Sequence, residues 1–382
     1  MSARRTTAVL AAAAVAASVA LVPSNAEGTA QPRTARAVFA EMTLAQRVGQ
    51  LFMVGTPAIS VDRQTLAQIG RYHVGNLILT GRSYDGTGGP ARIAARFQAR
   101  ATTAATDDVR LLVACDQEGG EVQVLHGDGL SEMPTALRQG RWSVARLQRS
   151  AGRWARQLEE AGVNMNLAPV MDTVPSAAAA RTNRPIGYYH REFGYTTTRV
   201  AAHGTAFARG MDEAGVAPTL KHFPGLGRVV RNTDDSHGVT DRVTTRHDAY
   251  LTPFKTAIDS GHVPFVMVSL AYYAKLDPHH MAVFSPFVIR TMLRGDLGFT
   301  GVVVSDSLTA TQVNRIRPGR RAVRFLRAGG DLVLIGGPDQ LPAMYHAVLR
   351  RARADATFRA KVDRAALLVL EAKQRQHLLG PG

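Results

Sequence analysis

The chain has 382 residues, 45% hydrophobic and 20% charged, an ordinary globular composition with enough apolar material for a sizeable core. Its formal charge of +16 favours adhesion to anionic surfaces such as acidic cell-wall polymers or phosphorylated glycans. The Lys and Arg residues are scattered and no nucleic-acid module is recognisable, so nucleic acid is not an expected partner; a single cysteine, Cys115, permits no internal disulfide.

Arg4 and Arg5 precede the apolar run "AVLAAAAVAASVALV", and "PSNAEG" follows, where Ser24 and Ala26 suit a small-residue cleavage site. This is the layout of a secretory signal peptide over 1–26, and it predicts a secreted protein with no stable membrane insertion after cleavage. An uncleaved anchor is the alternative, but the run is alanine-rich and shorter than a spanning helix usually needs. No cysteine follows it as a lipid attachment point. A short polar linker covers 27–39, and 40–380 reads as one domain, expected to be a monomer.

Past residue 40, short β-rich apolar runs alternate with longer helical patterns. The runs are "LFMVG" (51–55), "GNLILT" (75–80), "LLVAC" (111–115), "NMNLAPV" (164–170), "VAPTL" (216–220), "FVMVSL" (265–270), "GVVVS" (301–305) and "DLVLIG" (331–336). Continuous apolar runs suit strands buried on both faces of a parallel sheet. Cys115, inside one of them, reads as a buried structural thiol. Helical patterns lie between the runs at 62–70, 91–105, 196–214, 247–260, 286–296, 317–328, 339–352 and 357–376. The clearest follows Ser143 as N-cap, with Val144, Leu147, Ala151, Trp154, Ala155, Leu158 and Ala161 on one face, and Gly162 stops it. Eight runs separated by helices predict an α/β fold, a single (β/α)₈ TIM-like barrel. An open doubly wound sheet is the alternative, weakened because no G-x-G-x-x-G follows the first strand.

Barrel chemistry gathers at the C-terminal ends of the strands. "LLVAC" is followed by Asp116, "NLAPVM" by Asp172, "APTL" by Lys221 and His222, and "GVVVS" by Asp306. Each residue alone could be a cap or a structural partner. Four strands delivering charge to one rim point instead to a site. A zinc reading of His222, Asp235 and His237 fails the usual ligand spacings, so neither metal nor organic cofactor is expected.

The motifs "DQEGG" (116–120), "NLAPVMD" (166–172), "REFG" (191–194), "KHFPG" (221–225), "DSH" (235–237) and "LGFTGVVVSDSL" (297–308) occur in one order. On these the chain resembles glycoside hydrolase family 3, in its single-domain β-N-acetylhexosaminidase branch, over about 40–380. The resemblance implies a retaining glycosidase acting on an oligosaccharide through a glycosyl-enzyme. It implies Asp306 as nucleophile, and His237 as acid/base with Asp235 orienting its ring. It further implies Asp116, Arg191, Lys221 and His222 as sugar-binding residues. The pattern departs from the family in four places. Val124 stands where a sugar-binding arginine is usual, and Leu226-Gly227 where His-Gly is usual. The interval from "KHFPG" to "DSH" is lengthened, and Ser307 replaces a second aspartate after the nucleophile.

The reading that follows is an exported exo-β-N-acetylglucosaminidase acting on cell-wall or chitin-derived oligosaccharides. A β-glucosidase is an alternative, although those usually carry a second domain supplying the acid/base. A glycoside phosphorylase is another, because a neutral histidine donor tolerates attack by anionic phosphate. A non-catalytic glycan-binding barrel is the alternative from another class, since fold does not guarantee function.

Overall fold

The computed structural model describes residues 33–380, together with Ser2, Thr7 and Ala8. The expected leader and the first part of the linker otherwise lie outside the described residues. Each of the eight apolar runs marks a strand, two of which, β1 and β5, extend past the run: β1 Phe52–Pro57, β2 Asn76–Thr80, β3 Leu112–Cys115, β4 Met165–Asn166, β5 Ala217–Phe223, β6 Phe265–Val268, β7 Val302–Ser305 and β8 Val333–Ile335. They form one parallel sheet in the order β7-β6-β5-β4-β3-β2-β1-β8. A parallel bridge between Val304 and Leu332 joins β7 to the start of β8 and closes the barrel. Strands buried on both sides need apolar residues at successive positions, which is why they read as runs and not as alternations. Cys115 is fully buried in β3, where desolvation pushes its thiol pKa up and away from nucleophilic use.

Helices fill the spaces between the strands. Val144–Glu160 begins on Ser143, whose Oγ accepts from the Arg146 N–H at 3.3 Å, and buries Leu147, Ala151, Trp154, Ala155 and Leu158. The segment expected as a helix over 286–296 winds as a π-helix, Phe287–Asp296. Part of the segment read as linker is ordered as a helix, Ala35–Glu41. Its Ala35 and Val38 pack with Leu370 of the last helix, Ala356–Arg375.

That last helix also closes the N-terminal end of the barrel. Lys373, wholly buried, donates from Nζ to Gln50 Oε1 (2.7 Å), the Gly75 carbonyl (2.7 Å) and the Arg110 carbonyl (3.0 Å), beside the starts of β1, β2 and β3. Three donors meet three acceptors, although burial pulls the ammonium well below the usual lysine range. Among the described residues no helix is long and apolar enough to cross a membrane.

Candidate active site

The opposite, C-terminal end is open. A cavity of about 440 Å³ is lined there by Asp116, Arg191, Lys221, His222, Asp234 and Asp306, with Arg82 and Glu121 on its wall. Asp116 follows β3 directly, Lys221 and His222 lie within β5, and Asp306 follows β7. Each strand end turns into a loop here, so the side chains that leave the apolar core converge without any single loop having to supply them all.

One wall is an ion-pair network. Lys221 donates from Nζ to Asp116 Oδ1 (2.5 Å) and to Glu118 Oε1 (2.6 Å). Arg191 grips the same Glu118 with two bonds, Nε to Oε2 (2.8 Å) and Nη2 to Oε1 (2.7 Å), and its Nη1 donates to the Pro185 carbonyl (2.7 Å). Burial alone would raise the Glu118 pKa, but the charges of Arg191 and Lys221 outweigh it and hold the carboxyl at about 2. Burial likewise opposes the charge on Lys221, and Asp116 with Glu118 override it and hold the ammonium above its ordinary range. The wall is therefore fixed and charged. Its donors and acceptors suit the vicinal hydroxyls of a sugar ring.

Asp172 does a different job. It is fully buried, and its Oδ1 accepts the N–H groups of His222 (3.2 Å) and Leu226 (2.9 Å). His222 donates from Nδ1 to Asp172 Oδ2 (2.7 Å), because an ionised carboxylate only accepts. That bond directs Nε2 of His222 away from Asp172, on a residue that lines the cavity. Gly227 lets the following loop lie against this wall: a Cβ there would sit 1.9 Å from the Thr173 carbonyl oxygen.

Asp306 is half-exposed on the cavity side. The Ser307 N–H donates to its Oδ1 (2.7 Å), orienting the carboxylate, and its own N–H donates to the Val268 carbonyl (3.0 Å). No cation of the described residues pairs with it, so the carboxylate is available to an electrophile.

The loop with "DSH" is anchored beside Asp306. Thr311 and Gln312 donate backbone N–H groups to the carbonyls of Asp234 (3.1 Å) and Thr233 (3.0 Å). Val239 donates its N–H to Gln312 Oε1 (3.3 Å). His237 is half-exposed outside the cavity lining, its Nε2 bonded to Asn314 Oδ1 (2.8 Å). Asp235 accepts from Ser236 Oγ (2.6 Å) and shares no hydrogen bond with His237 among the described residues. The arrangement thus gathers Asp116, Arg191, Lys221, His222 and Asp306, and keeps His237 and Asp235 on the adjoining loop. His222 and His237 do not share a ligand set, and no group of three or more His, Cys, Asp or Glu among the described residues could hold a metal ion.

Three residues of the site carried no role in the sequence reading. Glu118 is the centre of the charged wall; its signal was the two-residue step from Asp116, which sets side chains on one side of extended backbone. Asp234 is exposed to solvent on its outer side and lines the cavity beside Asp306; desolvation at the cavity wall and then the Asp306 charge raise its pKa. Arg82, after β2, lies on the cavity wall and donates to the Glu121 carbonyl (2.7 Å), whereas Val124 is buried in the core.

Residues 43–371 match the model of the glycosyl hydrolase family 3 N-terminal domain. A crystallised β-N-acetylhexosaminidase from Beutenbergia cavernae DSM 12333 is 50% identical, with a TM-score of 0.85 over 87% of this chain and 99% of that one. A family 3 β-N-acetylglucosaminidase from Paenibacillus sp. str. FPU-7 is 31% identical, with a TM-score of 0.80 over 89% of this chain and 64% of that one. A β-hexosaminidase from Stenotrophomonas maltophilia (strain K279a) is 34% identical over 67% of this chain and 76% of its own length.

Proposed function

The chain belongs to glycoside hydrolase family 3 and is a glycoside hydrolase of the β-hexosaminidase type, and from that premise we propose that it is an exported, retaining exo-β-N-acetylglucosaminidase. The observation that carries this reading is Asp306: an unpaired carboxylate at the end of β7, facing a cavity whose other wall is the Lys221–Glu118–Arg191–Asp116 network. A volume of about 440 Å³ is at the small end for ligand sites, which suits one terminal sugar better than the middle of a long chain.

In this mechanism an Asp306 oxygen attacks the anomeric carbon as the glycosidic C–O bond breaks. The leaving oxygen takes a proton from His237, and the sugar is left as an ester of Asp306. Water then attacks the same carbon, gives its proton to His237 and releases Asp306, so two inversions give net retention. His237 must leave Asn314 to reach the leaving oxygen. The loop is bonded through Thr233 and Asp234 to the segment that follows Asp306, and catalysis requires it to move so that His237 exchanges Asn314 for the leaving oxygen and Asp235 joins His237. The substrates we propose are cell-wall or chitin-derived oligosaccharides, reached after removal of the 1–26 leader.

Release of nitrophenol from a nitrophenyl N-acetylglucosaminide, followed by NMR of the first-formed anomer, tests the reading. The expected product is the β-anomer, and Asp306→Ala should lower kcat by several orders of magnitude with an unchanged melting temperature. Activity within about tenfold of wild type would move the nucleophile away from Asp306.

A further inference from the structure

The N-terminal end of the barrel carries a second concentration of charge. Arg290 and Arg294 of the helix Phe287–Asp296, and Lys361 and Arg364 of the last helix, line a cavity of about 530 Å³ with Gly329 and Thr357. Two contacts fix its position. Arg294 donates from Nη1 to the carbonyl of Gly301 (3.1 Å), just before β7, and from Nη2 to Asp331 (2.5 Å), just before β8. Asp306 stands at the other end of β7, so this cavity is separate from the glycoside site.

The charges in it do not balance. Among the described residues Asp331 is the one carboxylate bonded to the lining cations; it takes Arg294 and Arg364 (2.8 Å) and also the Val303 N–H (2.8 Å). Arg290 donates to the carbonyls of Ala328 (3.1 Å) and Arg327, which carry no charge. Lys361 makes no hydrogen bond or ion pair among the described residues. Four cations therefore face one anion. Burial, and after it the charges of Arg290, Arg364 and Arg327, draw the Lys361 ammonium below its ordinary range. Gly329 is at φ +113, and a Cβ there would lie 3.0 Å from Arg290 Cγ, so glycine leaves Arg290 its place in the wall.

We propose that this cavity binds a phosphate group, either free or as the phosphodiester of an anionic polymer. A phosphate brings several acceptor oxygens and up to two negative charges. It would accept from the Lys361 ammonium and from free guanidinium N–H groups of Arg290 and Arg364, relieving their mutual repulsion. A carboxylate also carries one charge, as a phosphodiester does, but its two oxygens lie in one plane with their carbon, whereas the tetrahedral oxygens of phosphate point in different directions and reach cations on both helices.

The test is calorimetric titration of the enzyme at low ionic strength with inorganic phosphate, with poly(glycerol phosphate) and with polyglutamate. Wild type, Lys361→Ala and Lys361→Glu are compared. Inorganic phosphate should bind with a Kd on the order of 1 mM or tighter. Binding should weaken several-fold in Lys361→Ala and at least about tenfold in Lys361→Glu, while hydrolysis of the nitrophenyl glycoside stays within about twofold of wild type. Tighter binding of the phosphate polymer, lost in the same variants, identifies a polymer as the source. Equal affinity per phosphate identifies a small-anion site. Unchanged phosphate binding in Lys361→Glu overturns the proposal. So does phosphate that competes with the glycoside substrate equally in all three proteins, or polyglutamate that binds as tightly as the phosphate polymer.

Discussion

Replacing Glu118 by Gln removes one charge from the middle of the site wall while keeping its size. Glu118 is 4% exposed and accepts two bonds from Arg191 and one from Lys221. Those cations hold its pKa at about 2, against an ordinary 4.5. At 1.36 kcal/mol per pKa unit, the ionised form is favoured in the folded state by about 3 kcal/mol. The folded pKa is the depressed one, so this stability is fully present above about pH 4.5 and is lost as pH falls through about 2. In Glu118→Gln, buried Lys221 keeps Asp116 as its carboxylate partner, while partly buried Arg191 keeps only the Pro185 carbonyl and the amide that replaces Glu118. The loss at pH 7 should be about 3 kcal/mol, the low end of what breaking a buried pair costs. An unfolding entropy of ~2.1 cal/mol/K per residue over ~350 residues converts this to a drop of about 4 °C in Tm. Calorimetric scans of both proteins at pH 7, 4.5 and 3 measure it. The gap should shrink to about half by pH 3, because wild-type Glu118 is by then losing its advantage. A gap below about 1 °C at pH 7, or one that stays constant down to pH 3, would refute the reasoning.

Other outcomes follow from the same geometry. His237→Ala should cost roughly 10²–10⁴-fold on a chitobiose-type disaccharide and much less on the nitrophenyl glycoside, whose leaving group needs no proton; equal losses in a folded variant would remove His237 from the role. If Asp234→Asn shows that leaving-group bias and His237→Ala does not, the donor is Asp234. Asp235→Ala should show the bias more mildly, read from the same pair of substrates. Asp172→Asn should lower kcat/KM by about tenfold or more, because an amide facing Nδ1 of His222 no longer enforces its tautomer; unchanged kinetics would make Asp172 merely structural. Secreted material should begin near Glu27 on N-terminal sequencing, and an intact Met1 in a membrane fraction would count against export.

The barrel was legible because its physics is local and periodic. Eight β-rich apolar runs, each long enough to be buried on both faces and each separated by a helical pattern, have few other ways to bury themselves. The rim residues Asp116, Lys221, His222 and Asp306 were legible for the same reason: charge that appears abruptly at the end of a buried run has to emerge where the strand does. Partnerships were not legible, because they depend on which strands become neighbours. Nothing in the spacing of Asp172 and His222 says that β4 and β5 lie side by side and bring them to 2.7 Å. Lys221 and His222 are consecutive, and a regular strand would send them to opposite faces. The register between β5 and β6 shifts from Leu220 to Phe223, and both residues line the same cavity. The loop from Leu226 to Thr240 obeys no periodicity. Its contacts with Thr311, Gln312 and Asn314 come from a segment over seventy residues away, and they bring Asp234 to the cavity while His237 turns toward Asn314. The order of apolar and polar residues along the chain determines strands, helices and the rim. Which charges meet, and so which are ionised, held or free to react, is decided by distances that exist only once the barrel has closed.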